Sequence, residues 1–445
     1  MTVACPRNAS VFPRPEEPAP PSAVAKNSRI IHVPRRFVLD EWGGMEASVA
    51  ALLAEQRAAG WQPEIHTSLA LSDCRREIWN GIPIRRYPYC HPFFGLSAEQ
   101  RHKLDKKGGN LLSLSLFFSL LRQPRVRLFH AHCLKRIGGA VFTAARLRGK
   151  PFVATLQGGV FDVPAQETAQ IAEAHRGAFE WGKVFGLLFR SRRLLHEADA
   201  VICLGRGEYE NACRELAHDR VHFLGHGVDT GRFAAGDGAA FRSRHGIPQE
   251  ALVVACYGRF DPQKDQLSLV EAFDRLAGRH DALHLVLAGS ATLPDYLAQI
   301  DRRIAASPFS RRIHRLGPIA GTGSDLPDAF HGCDLFAQPS RHEPFGIVVL
   351  EAWSAGRPVV ASGVGGLLDL VREDETGLVA PPCNPAALAA QIDRLIDSPD
   401  LRERLAHNGR ELARRSYSWS RIAAETERIY RAAEAHCARQ QMKGR

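Results

Sequence analysis

Short apolar runs rich in Val, Ile, Leu and Ala alternate with longer stretches of helical spacing along this chain, and the alternation starts twice. The first series places strands at 30–33, 63–67, 127–130, 151–156 and 200–204, with a helix over 45–58 where Ala, Leu and Val recur at helical spacing. The second places strands at 252–257, 284–288, 312–316, 335–339 and 358–361, with helices over 266–276 and 345–355. Strands separated by helices form βαβ units, so each series predicts a parallel sheet. A chain of 445 residues is long enough for each half to bury its own core. Between the halves, the stretch 225–238 holds five glycines. The organisation expected is a tail over 1–28, a first α/β domain over 29–225 and a linker over 226–240. A second α/β domain over 241–415 follows, then a terminal segment over 416–445 whose helix carries Ile422, Ile429 and Tyr430 on one side.

Composition narrows the partners. The formal net charge of +10 favours anions such as phosphates or an acidic membrane face. A nucleic-acid partner would rest on that charge alone, because no recognition module or interleaved aromatics accompany it, and it is not expected. The ten cysteines are scattered singly without a C-x-x-C pair, which fits buried thiols in a reducing, cytoplasmic setting. Residues 1–28 carry Pro13, Pro15, Pro18, Pro20 and Pro21 among small and charged residues, a disordered tail and not a secretory signal. No apolar run reaches the length of a membrane span. The longest, 111–121, is flanked by Lys103, Lys106, Lys107, Arg122, Arg125 and Arg127. Such a helix either packs on its own domain with basic residues at the edge or lies peripherally on an anionic bilayer.

Ligands of open α/β sheets bind beyond the carboxyl ends of the strands, which singles out four loops. His342-Glu343-Pro344-Phe345-Gly346, after the strand at 335–339, leads into a helix bearing Glu351. Carboxylates accept from sugar hydroxyls, but the pair also reads as a helix-terminal acid plus an unrelated surface glutamate. Gly258 to Lys264 puts two cations, Arg259 and Lys264, on one loop at a strand end, either a solvated basic loop or the donors a pyrophosphate requires. Gly363, Gly365 and Gly366 after the strand at 358–361, and Gly43-Gly44 before the helix at 45–58, are turns where backbone N–H groups can meet an anion. His130 and His132 follow the strand at 127–130 as metal ligands without a third partner, as core histidines, or as groups reaching a sugar. No D-x-D, G-x-x-x-x-G-K-[ST] or G-x-S-x-G occurs, so a carboxylate-held metal nucleotide, a P-loop and a serine hydrolase are not supported.

Taken together and in this order, these motifs resemble family 4 glycosyltransferases of the GT-B fold. The resemblance runs from about residue 30 to 430 and is strongest over 257–381, where 343–366 reads EPFGIVVLEAWSAGRPVVASGVGG. GRFDPQKD, the Gly43-Gly44-x-Glu46 start and the H-x-H at 130–132 add to it. The resemblance implies two Rossmann-like domains facing across a cleft, with the terminal helix crossing back to the first. It implies a retaining hexosyltransferase that moves a sugar from a UDP- or GDP-linked donor to a hydroxyl of a sugar or lipid-linked acceptor, in cell-surface polysaccharide or glycolipid assembly, without metal or cofactor. Arg259 and Lys264 would hold the diphosphate, Glu343 the sugar hydroxyls and Glu351 the ribose. Gly365 and Gly366, with Phe345 and Gly346 beside them, would line the donor, Gly43 and Gly44 would approach from the other domain, and His132 would stand beside the sugar. Two positions depart from the pattern: Gln157 replaces a histidine in Thr155-Leu156-Gln157-Gly158, and His226 replaces an asparagine before Gly227-Val228-Asp229. A phosphorylase or epimerase of the same fold, using free phosphate in the first case, or a non-catalytic nucleotide-sugar-binding module are the alternative readings.

Overall fold

The computed structural model describes residues 28–39, 43–106, 108–158, 160–161, 176–321 and 323–443. The tail read at 1–28, apart from Ser28, lies outside them, as does Trp42 in the loop before the first helix. Ten strands of the first half are β1 (Arg29–Val33), β2 (Gln62–Ser68), β3 (Arg76–Trp79), β4 (Ile82–Tyr87), β5 (Phe93–Phe94), β6 (Val126–Ala131), β7 (Phe152–Leu156), β8 (Phe179–Glu180), β9 (Ala200–Cys203) and β10 (Val221–Phe223). Eight of them form one sheet in the order β10-β9-β7-β6-β1-β2-β4-β3, parallel except for the β3–β4 hairpin, while β5 and β8 form a separate two-stranded ribbon. The second half contributes β11 (Leu252–Tyr257), β12 (Leu283–Ala288), β13 (Ile313–Leu316), β14 (Leu335–Gln338), β15 (Val359–Ser362) and β16 (Leu378–Ala380). These form an all-parallel sheet in the order β13-β12-β11-β14-β15-β16.

Strand side chains alternate between faces, and both faces of each sheet are apolar. In the first sheet Ile31, Val33, Phe129, Phe152, Ala154 and Val201 pack towards helices Leu114–Arg122 and Lys135–Leu147. Ile30, Leu128, Val153 and Ile202, one step out of phase, pack on Ile422, Ile429, Tyr430 and Ala433 of the last helix, Trp419–Lys443. The second sheet divides the same way, with Val253, Ala255 and Tyr257 on one face and Val254 and Cys256 on the other.

Three local differences from the sequence reading have physical causes. The β3–β4 hairpin turns on Asn80 and Gly81, both at positive φ (48° and 73°), the two-residue turn that Asn-Gly favours. The helix expected over 345–355 is Ile347–Ser354, because Gly346 at φ 102° ends any backward extension and Phe345 turns into the core instead. The segment expected over 111–121 becomes a helix only from Leu114. Leu111, Leu112, Leu116 and Leu120 are buried, while Leu114 and Phe118 stay exposed. The stretch 226–240 contains the short helix Thr230–Phe233 and the start of another, Gly238–Arg244.

The last helix is clamped electrostatically as well as by its apolar face. Arg127 on β6 donates to both oxygens of Glu427 (2.8 and 2.9 Å) and both of Glu434 (2.7 and 3.0 Å), and its guanidinium lies 4.0 Å from the Trp61 ring centre. Removing a mostly buried guanidinium leaves two carboxylates facing each other with only the half-exposed Arg431 still beside Glu427. Arg127→Ala is expected to cost about 2 kcal/mol of stability, read as a lowered urea midpoint. Arg431→Ala, which deletes a half-exposed partner of Glu427, is expected to lower it far less.

Candidate active site

The loops at the carboxyl ends of β11 and β14 are tied together. Arg341 N donates to the Gln263 carbonyl at 2.8 Å, and Gln263 Nε2 donates to the His342 carbonyl at 3.0 Å. Asp265 is held in the left-handed region (φ 50°) by Arg341 Nη2 (2.9 Å) and Ser268 Oγ (2.7 Å), so the chain turns sharply after Lys264. Lys264 Nζ then reaches Glu343 Oε2 at 2.5 Å. Gln338 Nε2 (3.1 Å) and Ser340 Oγ (3.2 Å) donate to the same oxygen. Three donors thus converge on Oε2 of a carboxylate that is only 8% exposed. Arg259, on the same loop as Lys264, is exposed, and its guanidinium has no hydrogen-bond or ion-pair partner among the described residues.

Gly365 and Gly366 press against the loop that carries Glu343. Gly366 N donates to the Glu343 carbonyl at 2.9 Å. A Cβ at Gly365 would lie 2.4 Å from that carbonyl oxygen, and one at Gly366 would lie 2.4 Å from the Pro344 oxygen. Phe345 is buried at 3% exposure, edge-on to His226 with ring centres 5.5 Å apart. It packs in the core rather than opening on the cleft. Glu351, two turns further on, is half-buried and makes no side-chain hydrogen bond among the described residues. Burial pushes its carboxyl up to about 7, with Arg232 pulling the other way.

The first domain meets this loop directly. A Cβ on Gly158 after β7 would strike the Pro344 ring at 2.4 Å, and one on Gly205 after β9 would come 2.9 Å from the Pro344 oxygen. Arg206 N donates to Asp369 Oδ2 at 2.7 Å. Gly43 caps the helix Gly44–Ala58 and donates its N–H to Glu46 at 3.1 Å, while Gly44 faces Ile347, 3.5 Å from where its Cβ would stand. The Gly43-Gly44 turn therefore lies opposite the first turn of the helix that carries Glu351. The structure brings Glu343, Lys264, Gly365 and Gly366 together on one side, with Gly44 across from them.

His130 and His132 gain a neighbour that local sequence did not suggest. Strand pairing sets His32 on β1 beside His130 on β6, and the three rings offer nitrogens within 4.8 Å of one another. All six ring nitrogens are engaged: His32 with His132 (3.0 Å) and Gln56 (2.9 Å), His130 with Tyr430 (2.7 Å) and Thr155 (2.7 Å), His132 also with Gln157 (3.4 Å). Burial lowers His32 to about 4 and holds His130 and His132 well below the usual range, and His226 is lowered to about 4 for the same reason. The cluster is therefore a neutral hydrogen-bonded network. Of the residues missed from sequence, Gln338 and Ser340 were within reach, as polar groups closing an apolar strand just before Glu343. His32, Gln56 and Tyr430 carried no local signal.

Comparison with known proteins gives the family and the fold. Residues 237–412 match the family described as "Glycosyl transferases group 1", and residues 43–227 match the "Glycosyl transferase 4-like domain". An uncharacterized glycosyltransferase of Methanocaldococcus jannaschii is 30% identical over 268 residues, covering 57% of this chain and 67% of that protein. A D-inositol 3-phosphate glycosyltransferase of Saccharomonospora viridis is 29% identical over 408 residues, covering 88% and 90%. Among solved structures, Anabaena HepE in complex with UDP-glucose superposes with a TM-score of 0.66 at 20% identity, covering 90% of this chain and 99% of that one. Sucrose-phosphate synthase of Thermosynechococcus elongatus reaches 0.68 at 21% identity, covering 92% and 100%. These likenesses give the fold: GT-B, two Rossmann-like domains.

Glu351 is raised in the folded protein and ordinary when unfolded, so its contribution is present in full below pH 4.5 and is lost as pH rises through about 7. Glu351→Gln is expected to leave stability unchanged near pH 4.5 and to raise the melting temperature progressively up to pH 8. A pH series of thermal melts on both proteins measures it, and equal melting temperatures at pH 8 would show the carboxyl is not held up.

Proposed function

The chain belongs to the group 1 glycosyltransferases, enzymes that transfer a sugar from a nucleotide-sugar donor, and on that premise we propose which residues do what. The observation that carries the reading is the pairing of Lys264 with Glu343 at adjacent strand ends, beside an Arg259 whose guanidinium has no ion-pair partner among the described residues. An ammonium has three N–H donors and Glu343 takes one, leaving others for a phosphate oxygen. As the bond from the sugar's anomeric carbon to the diphosphate breaks, negative charge grows on the leaving oxygen, and Arg259 and Lys264 stabilise it without a metal. The anomeric carbon forms its new bond to the acceptor oxygen, and the departing phosphate takes the acceptor's proton on the same face, so configuration is retained. Glu343 acts as a hydroxyl-binding group: Lys264, Gln338 and Ser340 hold its Oε2, which leaves Oε1 to accept from a sugar hydroxyl. Glu351, which makes no side-chain hydrogen bond among the described residues, takes the ribose hydroxyls. Gly44 approaches the diphosphate from the first domain, and His132 stands beside the sugar.

The donor is UDP- or GDP-linked in this reading. The acceptor is a sugar or lipid-linked sugar in cell-surface polysaccharide or glycolipid assembly, met at the cytoplasmic face of a membrane. No helix among the described residues is long and apolar enough to cross one. Support for peripheral contact comes from a chain of rings running Phe179, Phe94, Trp181, Phe185, Phe189, Phe117, Phe118, each 5.0–6.5 Å from the next. Phe94, Phe179, Val184, Leu187 and Leu188 on it or beside it are 61–81% exposed, and Lys183, Arg192 and Arg122 are exposed nearby in the chain. Exposed apolar groups rimmed by cations suit an anionic bilayer.

Two measurements test this. A nucleoside diphosphate present at about a hundred times its dissociation constant adds about 2.7 kcal/mol of stability. UDP or GDP compounds without added metal are therefore expected to raise the melting temperature, and Arg259→Ala to abolish the rise. A rise that survives in Arg259→Ala would remove the role given to that side chain. In the second, the protein is expected to sediment with vesicles containing anionic lipid and not with neutral ones. Leu187→Asp is expected to release it without lowering its melting temperature.

A further inference from the structure

Buried polar groups form one continuous chain through five elements: β1, helix Gly44–Ala58, β6, β7 and the last helix. Gln56 Nε2 donates to the Tyr430 hydroxyl at 3.2 Å, so Gln56 Oε1 accepts from His32 Nε2 at 2.9 Å. With its Nε2 protonated, neutral His32 has a lone pair on Nδ1 and accepts there from His132 Nε2 at 3.0 Å. His132 therefore carries its proton on Nε2 and a lone pair on Nδ1. On the other arm, the Tyr430 hydroxyl donates to His130 Nδ1 (2.7 Å), and His130 Nε2 donates to Thr155 Oγ1 (2.7 Å). Every bond points one way, and the orientation of the Gln56 amide sets the direction for all of them. The partner of His132 Nδ1 is Gln157 at 3.4 Å, the longest contact of the chain. His132 and Gln157 line a cavity of about 40 Å³ with Ser48, Gly225 and His226.

We propose that His32, Gln56 and Tyr430 are positioning residues that fix the tautomer of His132, so that its Nδ1 accepts a hydrogen bond from a hydroxyl of the donor sugar in place of Gln157. Docking of the last helix then becomes a condition for recognising the sugar, as distinct from the diphosphate. The inference rests on the reading that His132 stands beside the donor sugar. Its chemistry suits the site: a neutral imidazole offers a lone pair to a hydroxyl, whereas an imidazolium would offer only donors and would attract the diphosphate instead. The titratable groups around the chain are the three histidines themselves and His226 on the linker, with Arg127 and Glu427 near Tyr430 at its middle.

The test compares affinity for UDP-glucose with that for UDP, or GDP-mannose with GDP, whichever pair the wild type binds, and records nitrogen chemical shifts of the histidine rings. His132→Ala is expected to lower the sugar-to-diphosphate affinity ratio about tenfold, and Tyr430→Phe about three- to tenfold. The double variant is expected to be no worse than His132→Ala alone, since both remove one interaction. Gln56→Glu puts a carboxylate beside His32 and raises the protonation range of the cluster. Its ratio is expected to match wild type at pH 8 and to collapse at pH 6, a pH dependence that loss of packing would not produce. If His132→Ala leaves the ratio unchanged, the reading of His132 beside the sugar fails and the proposal with it. If His132→Ala lowers the ratio while Tyr430→Phe changes neither the ratio nor the His132 ring shifts, the relay is overturned and the reading of His132 stands. Losses in Tyr430→Phe and His132→Ala that simply add would likewise overturn the relay.

Discussion

Four residues, Glu343 to Gly346, are gripped from every side, and the architecture around the cleft depends on that grip. One carboxylate oxygen of Glu343 is fixed by donors from β14 and from the loop after β11. Pro344 is the surface on which Gly158 and Gly205 of the first domain rest, at distances that leave no room for a side chain. Phe345 fills the space against Gly225, His226 and Tyr417. Gly346 takes a backbone conformation that starts the helix carrying Glu351. The donor-side loops, the first domain, the linker and the segment before the last helix thus share one loop. In a close-packed interior a displacement there is passed to all four. The glycines at 365 and 366, which sequence alone suggests as an anion-binding turn, are needed first so that two backbones can lie in contact.

The two walls of the cleft differ in charge for a reason visible in their burial. Imidazoles at 32, 130, 132 and 226 are held neutral because burial penalises the charged form. Arg259, by contrast, stays exposed at a strand end of the second domain. A ligand with an anionic end and a polyhydroxyl end would meet the Arg259 guanidinium on one side, while the histidine wall offers lone pairs and N–H groups.

What was legible in the sequence follows from the range of the interactions involved. The parallel sheets were readable because each strand is an apolar run bounded by its own turn, as 252–257 shows by coinciding with β11. Glu343, Glu351, Arg259 and Lys264 stood out because they interrupt or follow such runs. The β3–β4 hairpin carried its Asn80-Gly81 signal, but its strands mix Arg76, Glu77, Arg85 and Arg86 with apolar residues at the sheet edge, which blurs the pattern. Phe345 read as part of a ligand loop because nothing local shows that Gly225, 120 residues earlier, leaves a space its ring fills. The histidine cluster was legible only as the pair His130 and His132. His32 enters by strand register and Tyr430 by the return of the last helix, and neither leaves a trace in local periodicity.

The return of the last helix has a mechanical consequence through helix Gly44–Ala58. Gln56 near its end is bonded to Tyr430, and Gly44 at its start faces Ile347 across the cleft. Twelve residues at about 1.5 Å each separate the two points by roughly 18 Å along a stiff rod. The same helix is packed along β2 and closed at its start by Glu46, whose carboxylate accepts from Gly43 and pairs with Arg36 at 3.3 Å. A rod held at both ends does not bend to absorb a small displacement. It moves as a body, because the i to i−4 bonds of a helix resist local extension. A shift of the last helix at Tyr430 therefore arrives at the Gly43-Gly44 turn, opposite the helix that carries Glu351. The terminal segment, which by its place in the chain belongs to neither sheet, is thereby built into the geometry of the cleft through its packing on helix Gly44–Ala58 and the bond from Gln56 to Tyr430.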